Sequence, residues 1–136
     1  MSARRGSCHC GRVAFAVRGE PDRLFVCNCS ICERKGYLHW IVPAADFELE
    51  TPWQELAEYR FGTGTARHLF CRTCGIHAFY VPRSHPDAFS VNARCVEGLE
   101  REGIPLESFD GRHWEEARDA LQLPESEAQA GRPSRR

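Results

Sequence analysis

Cys71-Arg72-Thr73-Cys74-Gly75 sets two thiols three residues apart, just ahead of a glycine. Cys8-His9-Cys10-Gly11 repeats the device at a spacing of two. Between them lies a denser stretch, Cys27-Asn28-Cys29-Ser30-Ile31-Cys32, with three thiols. Together these stretches hold seven of the chain's eight cysteines. A C-x-C or C-x-x-C segment can point two sulfurs at one metal ion. A glycine after it lets the backbone turn sharply, so that N–H groups face the sulfurs. Disulfides are a poor alternative, because a bridge needs its own Cα separation and direction, and Cys8 to Cys10 would be strained.

Two such pairs, Cys8 and Cys10 with Cys71 and Cys74, make a closed four-sulfur site of the structural kind. The pairs are distant in sequence, so their metal would tie the start of the chain to its middle, and in a small domain that binding contributes to folding. Cys27, Cys29 and Cys32 give three protein ligands and leave a fourth position for water or substrate. Other partitions share the cysteines differently or recruit His9, His68 or His77. Cys95 stands outside the clusters. It is expected either to close the second site as a fourth ligand or to stay an ordinary thiol, near that site or away from it.

The rest of the chain bounds the class. With 136 residues, 42% of them apolar, one domain with a modest core is expected. A formal net charge of −1 points to neither nucleic acid nor a membrane surface. Met1–Gly6 has no apolar core of a secretory signal, and no run is long enough to span a bilayer. A cytoplasmic location follows as an expectation, and with it reduced thiols.

Strand signals dominate. Val13–Val17, Leu24–Val26, Tyr37–Val42, Phe47–Leu49, Leu56–Phe61, His68–Phe70, Ile76–Val81 and Ala88–Ala93 are short apolar or alternating runs bounded by Gly and Pro. A turn of helix after Cys29 runs through Glu33 and Arg34. One further helix is expected from Asp110, as N-cap, to Pro124, with Phe109 and Trp114 as a hydrophobic staple. Trp114, Ala117 and Leu121 fall on one face of it, and Trp114 and Leu121 are expected to pack in the core. The domain is expected over residues 1–123. Residues 124–136 form a polar tail without a large apolar residue, expected to be disordered.

Gly6-Ser7-Cys8-His9-Cys10-Gly11, Cys27-Asn28-Cys29-Ser30-Ile31-Cys32 and Phe70-Cys71-Arg72-Thr73-Cys74-Gly75 resemble the glutathione-dependent formaldehyde-activating enzyme family, which includes centromere protein V. Tyr80–Ser84, Val91–Cys95, Phe109–Gly111 and Trp114–Ala117 look closest to the centromere protein V branch. The resemblance implies a mainly β fold, a β-tent of small antiparallel sheets clasped around a structural zinc, here with a short C-terminal helix. It implies two zinc ions per chain: a structural one on Cys8, Cys10, Cys71 and Cys74, and a catalytic one on Cys27, Cys29 and Cys32.

The family reaction adds glutathione, as co-substrate, to formaldehyde and gives S-(hydroxymethyl)glutathione. This implies a carbon–sulfur lyase whose partners are a small-molecule thiol and an aldehyde. Zinc would either favour the attacking thiolate or polarise the carbonyl. The two carboxylates of such a tripeptide suit bidentate arginines, with Arg67, Arg83 and Arg94 as candidates. The competing functions are a non-catalytic zinc-stabilised binding module, which a four-sulfur second site with Cys95 would favour, and a glutathione carrier. Oligomeric state and the acid–base residue are not legible.

Overall fold

The computed structural model describes residues 3–99 and 101–120. The first hairpin pairs β1 (Ala3–Ser7) antiparallel with β2 (Ala14–Arg18), Gly6 lying opposite Phe15. Along β2, Phe15 and Val17 turn inward and Arg18 outward, the period-two pattern of a strand covered on one face. β3 (Leu24–Cys27) leads into α1 (Ser30–Lys35), and β4 (His39–Pro43) follows. Next come β5 (Phe47–Leu49), β6 (Leu56–Tyr59), β7 (His68–Cys71), β8 (Phe79–Tyr80) and β9 (Ala88–Asn92). β10 (Leu106–Phe109) and α2 (Trp114–Ala120) complete the described elements.

Three sheets result, ordered β1-β2-β5, β10-β3-β4-β9-β8 and β6-β7. The expectation of a mainly β fold of small sheets with a short C-terminal helix holds. One pairing departs from it: β10 runs parallel to β3, Leu106 beside Leu24 and Phe109 beside Cys27. The chain reaches that edge by a long excursion after β9, and a parallel neighbour needs such a crossover rather than a tight turn. β4 is central and buried on both faces from His39 to Val42, so its residues point either into the core or toward the cavity described below. Its register with β9 sets His39 opposite Asn92 and Ile41 opposite Ser90.

The core gathers Phe15, Phe79, Leu24, Val13, Val17 and Val91, all fully buried. Phe15 and Phe79 meet edge to face at 6.2 Å, and Phe47 stacks on Phe89 at 4.5 Å. Burying one such Phe contributes about 1.5–3 kcal/mol. This core takes in Cys8 and Cys71, while Phe25, Ile41 and Ala88 form a smaller cluster of their own.

Several expectations are corrected. Ile76–Val81 is not one strand. The Cys71 N–H bonds to the Ile76 carbonyl, so the chain is still turning there and only Phe79–Tyr80 is strand. β1 and β10 have no apolar alternation of their own, and both are edge strands held by a neighbour. Asp110 does not cap the helix with its side chain. Its carboxylate accepts from Asn28 Nδ2 at 2.9 Å and meets the His113 ring at 2.8 Å. Trp114 is only half-buried and stands outside the core, while Leu121 and the expected tail lie outside the described residues. No helix among the described residues is long and apolar enough to cross a membrane.

Candidate metal centres

Cys8 follows the end of β1, and Cys71 ends β7. The two turns that leave these strands carry Cys10 and Cys74. In both turns the next residue is a glycine of positive φ, +85° at Gly11 and +81° at Gly75, which a Cβ would strain. The turns aim backbone N–H groups at sulfur: Val13 donates to Cys8 Sγ at 3.3 Å, Thr73 and Cys74 to Cys71 Sγ at 3.3 and 3.4 Å. All four Sγ atoms lie within 4.8 Å of one another. A tetrahedral ion with metal–sulfur bonds of about 2.3 Å sets its sulfurs about 3.8 Å apart. The sulfurs of Cys8 and Cys10 are 3.7 Å apart, those of Cys10 and Cys71 3.6 Å. The donor set therefore fits such an ion.

The second group comes from one short stretch. Cys27 ends β3, Cys29 precedes α1, and Cys32 lies in its first turn, their three Sγ atoms within 4.8 Å. The Cys29 sulfur accepts from the Cys27 and Cys32 thiols and is held at about 2, far below the ordinary thiol range. Cys32, which donates to Cys27 and Cys29, is pushed far above it. Three crowded sulfurs thus share protons rather than ionise together, and a divalent cation would take the place of those protons.

The segment after β10 braces this loop. Arg112 donates from Nε to the Asn28 carbonyl at 3.0 Å and from Nη2 to Glu33 at 2.8 Å, and its backbone N–H bonds Asn28 Oδ1 at 3.1 Å. Gly111 lies so close that a Cβ there would stand 2.6 Å from Cys27 Sγ and 2.8 Å from Cys29 Cβ. Only glycine allows this approach.

Cys27, Cys29 and Cys32 line a cavity of about 510 Å³, within the range of small-molecule sites. Phe25, Ile41 and Phe109 give it apolar wall, Arg34, Arg83 and Arg112 bring positive charge, and His39, His68 and Tyr80 also border it. The Arg83 guanidinium lies 3.7 Å from the centre of the Trp114 ring, so the indole that was expected in the core forms cavity wall instead.

A buried polar network adjoins the cavity. Lys35 Nζ is 3.2 Å from His68 Nδ1 and faces the Tyr80 ring at 4.4 Å. Burial lowers Lys35 to about 8. Burial, reinforced by the Lys35 charge, lowers His39 to about 3 and His68 to about 4, so both rings are neutral near pH 7. His39 Nδ1 meets Ser90 Oγ at 3.1 Å and Tyr80 Oη at 3.3 Å. Its Nε2 is buried with no protein partner, a condition that costs about 1–3 kcal/mol.

The remaining expected residues lie elsewhere. Cys95 belongs to neither sulfur group. The carbonyl-side bridge from Gly6 to Val96 and the Glu97 N–H bond to the Arg5 carbonyl draw it to β1, and the thiols whose charge it feels are Cys8 and Cys74. Burial raises it to about 11. Arg67 turns away to Glu58, with Nη2 2.9 Å from Oε1, and Arg94 is exposed beyond β9, so of the three proposed arginines only Arg83 borders the cavity. His9 is exposed, and His77 packs against Phe70 at 5.2 Å. Sequence reasoning missed Arg34, Arg112, His39 and Tyr80. Position two residues after Cys32 was a usable signal for Arg34. For Arg112 the hint was its place beside Phe109-Asp110-Gly111. Nothing local marks His39, one apolar-flanked residue in a strand.

The family described as glutathione-dependent formaldehyde-activating enzyme has a sequence model that matches residues 3–109. A solved crystal structure of a Rhodobacter sphaeroides protein is 36% identical, with a TM-score of 0.67, over 76% of this chain and 99% of that one. Sequence match and fold agree, and the chain belongs to the glutathione-dependent formaldehyde-activating enzyme family.

Proposed function

We propose that the protein is a zinc-dependent enzyme of the carbon–sulfur lyase type that forms or breaks a thiol–aldehyde adduct. Family membership points to S-(hydroxymethyl)glutathione, made from glutathione and formaldehyde, as the first adduct to test. The observation that carries this is the three-thiol group opening on the cavity. A site with three protein sulfurs keeps a position for an exchangeable ligand, whereas four sulfurs close it. Cys95, the only thiol left to close it, falls outside the group.

In this reading Cys8, Cys10, Cys71 and Cys74 hold a structural zinc, and Cys27, Cys29 and Cys32 a catalytic one. Bound there, zinc supplies Lewis acidity and favours the deprotonated thiol. The protein's own residues do the rest. Arg34, Arg83 and Arg112 offer guanidinium groups to the two carboxylates of a tripeptide thiol. Phe25, Ile41 and Phe109 narrow the cavity beside the thiols. In the reaction the sulfur–carbon bond forms, the carbonyl π pair moves to oxygen, and the proton lost by the thiol is regained at that oxygen.

The test is metal content together with the rate of adduct formation above the spontaneous reaction. Two zinc ions per chain and a rate lost in Cys29→Ser are expected. No rate above background with several thiols and aldehydes would overturn the reading. Tight glutathione binding without product would identify a carrier.

A further inference from the structure

His39 is buried, 3% exposed, in the central strand β4, yet it borders the same cavity as the three thiols. Its surroundings treat the two ring nitrogens differently. Nδ1 is met by two hydroxyls, Ser90 Oγ and Tyr80 Oη. Both are O–H groups able to donate, and both are buried on β9 and β8. Ser90 is held further by Tyr37, whose hydroxyl donates to the Ser90 carbonyl at 2.7 Å. Tyr37 and Tyr80 also pack on the imidazole, ring centres 4.5 and 5.7 Å away, which leaves it little room to rotate. We assign both hydroxyls as donors to Nδ1, an arrangement that leaves Nδ1 bare and puts the ring proton on Nε2. Nε2 is the atom with no protein partner. Native folds satisfy nearly all buried polar atoms, and His39 is a lining residue of the cavity, so a ligand there is the available partner for its unpaired nitrogen.

We propose that His39 presents its Nε2–H to the oxygen of the aldehyde and of the adduct, and holds that oxygen while the carbon–sulfur bond forms or breaks. This rests on the thiol–aldehyde reading given above and names a catalytic residue for it. As sulfur attacks, the carbonyl π pair collapses onto oxygen, where negative charge develops. A fixed donor stabilises that charge more than it stabilises the ground-state carbonyl. His39 keeps its own proton. The thiol's proton leaves to water, and the oxygen takes one from water. In the reverse direction the hydroxyl loses its proton to water, the carbon–sulfur bond breaks, and the same donor holds the emerging carbonyl oxygen. The neutrality of the ring agrees with this role, since burial keeps it from gaining a second proton.

The experiment joins nitrogen NMR of the zinc-loaded wild type, labelled at histidine, with kinetics of two variants. For His39 the expected signals are a protonated Nε2 and a bare Nδ1, with no change from pH 6 to 8. The Nε2–H resonance should move when glutathione and formaldehyde are added together, and far less with glutathione alone. His39→Phe should lower kcat about 100-fold or more, the size seen on losing one such donor, with KM for glutathione changed less than about twofold. His39→Gln, whose amide N–H reaches a similar place, should regain about tenfold. A proton on Nδ1, or a doubly protonated ring at neutral pH, overturns the assignment whether or not the variants fold. A folded His39→Phe with undiminished kcat overturns it and leaves the lyase reading standing. A wild type with no rate above background brings down the lyase reading and this assignment with it.

Discussion

Cys10 and Cys71 meet across 61 residues of chain, whereas Cys27, Cys29 and Cys32 arrive on one loop and the first turn of a six-residue helix. The first cluster joins the β1-β2 hairpin to β7, so a metal there closes a long loop and ties two sheets together. The second adds no long-range tie of its own. Its loop is already fixed by Arg112, by Asp110 through Asn28, and by the β3–β10 pairing. The same ligand type therefore stands between two sheets in one place and beside a cavity in the other. The difference is where the ligands sit in the chain.

Metal removal probes this most strongly. With a graded chelator, the three-sulfur site should empty first, with the near-UV spectrum unchanged and activity gone. Emptying the four-sulfur site should then abolish the cooperative unfolding transition, since structural zinc binding is worth on the order of 10 kcal/mol. Metal release and unfolding that coincide in a single step would break the comparison.

Single ligands divide the same way. Cys71→Ser should cost about 4 kcal/mol or more in chemical denaturation, the range reserved for lost metals and similar constraints. Cys29→Ser should cost less than about 1 kcal/mol yet lower the rate by more than about 100-fold, beyond what loss of an outer partner does to a metal site. Equal stability losses would show that the second cluster also holds the fold.

Gly111→Ala separates the cluster from its support. The added methyl would press on Cys27 Sγ and Cys29 Cβ, at 2.6 and 2.8 Å. Overpacking of this kind costs about 1–3 kcal/mol. We expect metal affinity of the three-sulfur site to fall about tenfold while the four-sulfur site keeps its metal, read by competition with a chromophoric chelator. The smallest expected effect is at the rim. Arg83→Ala removes a cation from the Trp114 face and should raise KM for glutathione a few-fold, about 1 kcal/mol, with kcat nearly unchanged in steady-state assays. A fall in kcat with constant KM would move Arg83 from binding to chemistry.

The cysteine groups were legible because metal ligation depends on donor type and short spacing, which a sequence displays directly. Gly11 and Gly75 were legible for the same reason, as the sharp turn lies beside the ligands it serves. The strands with apolar or alternating patterns were also readable, though their ends shifted, by three residues at Ile76 and by two at most elsewhere. β1 and β10 were not, since Arg4 and Arg5 or Glu107 and Ser108 carry no inward pattern and are recruited by neighbours. Trp114 misled because helical spacing reports a face but not what lies against it. Here the face meets Arg83 and the cavity.

Residue types and local spacing alone grouped seven thiols into two pairs and a triplet, and with the strand patterns they specified a β domain carrying two candidate metal sites. Tertiary structure decided which way Cys95 faced, which arginines reached the cavity, and that His39 stood between two hydroxyls with Nε2 free. Those outcomes hang on strand register. β4 pairs with β9 so that Ile41 lies opposite Ser90 and His39 opposite Asn92. Shifting that register by one residue would turn His39 to the other face, because side chains alternate along a strand.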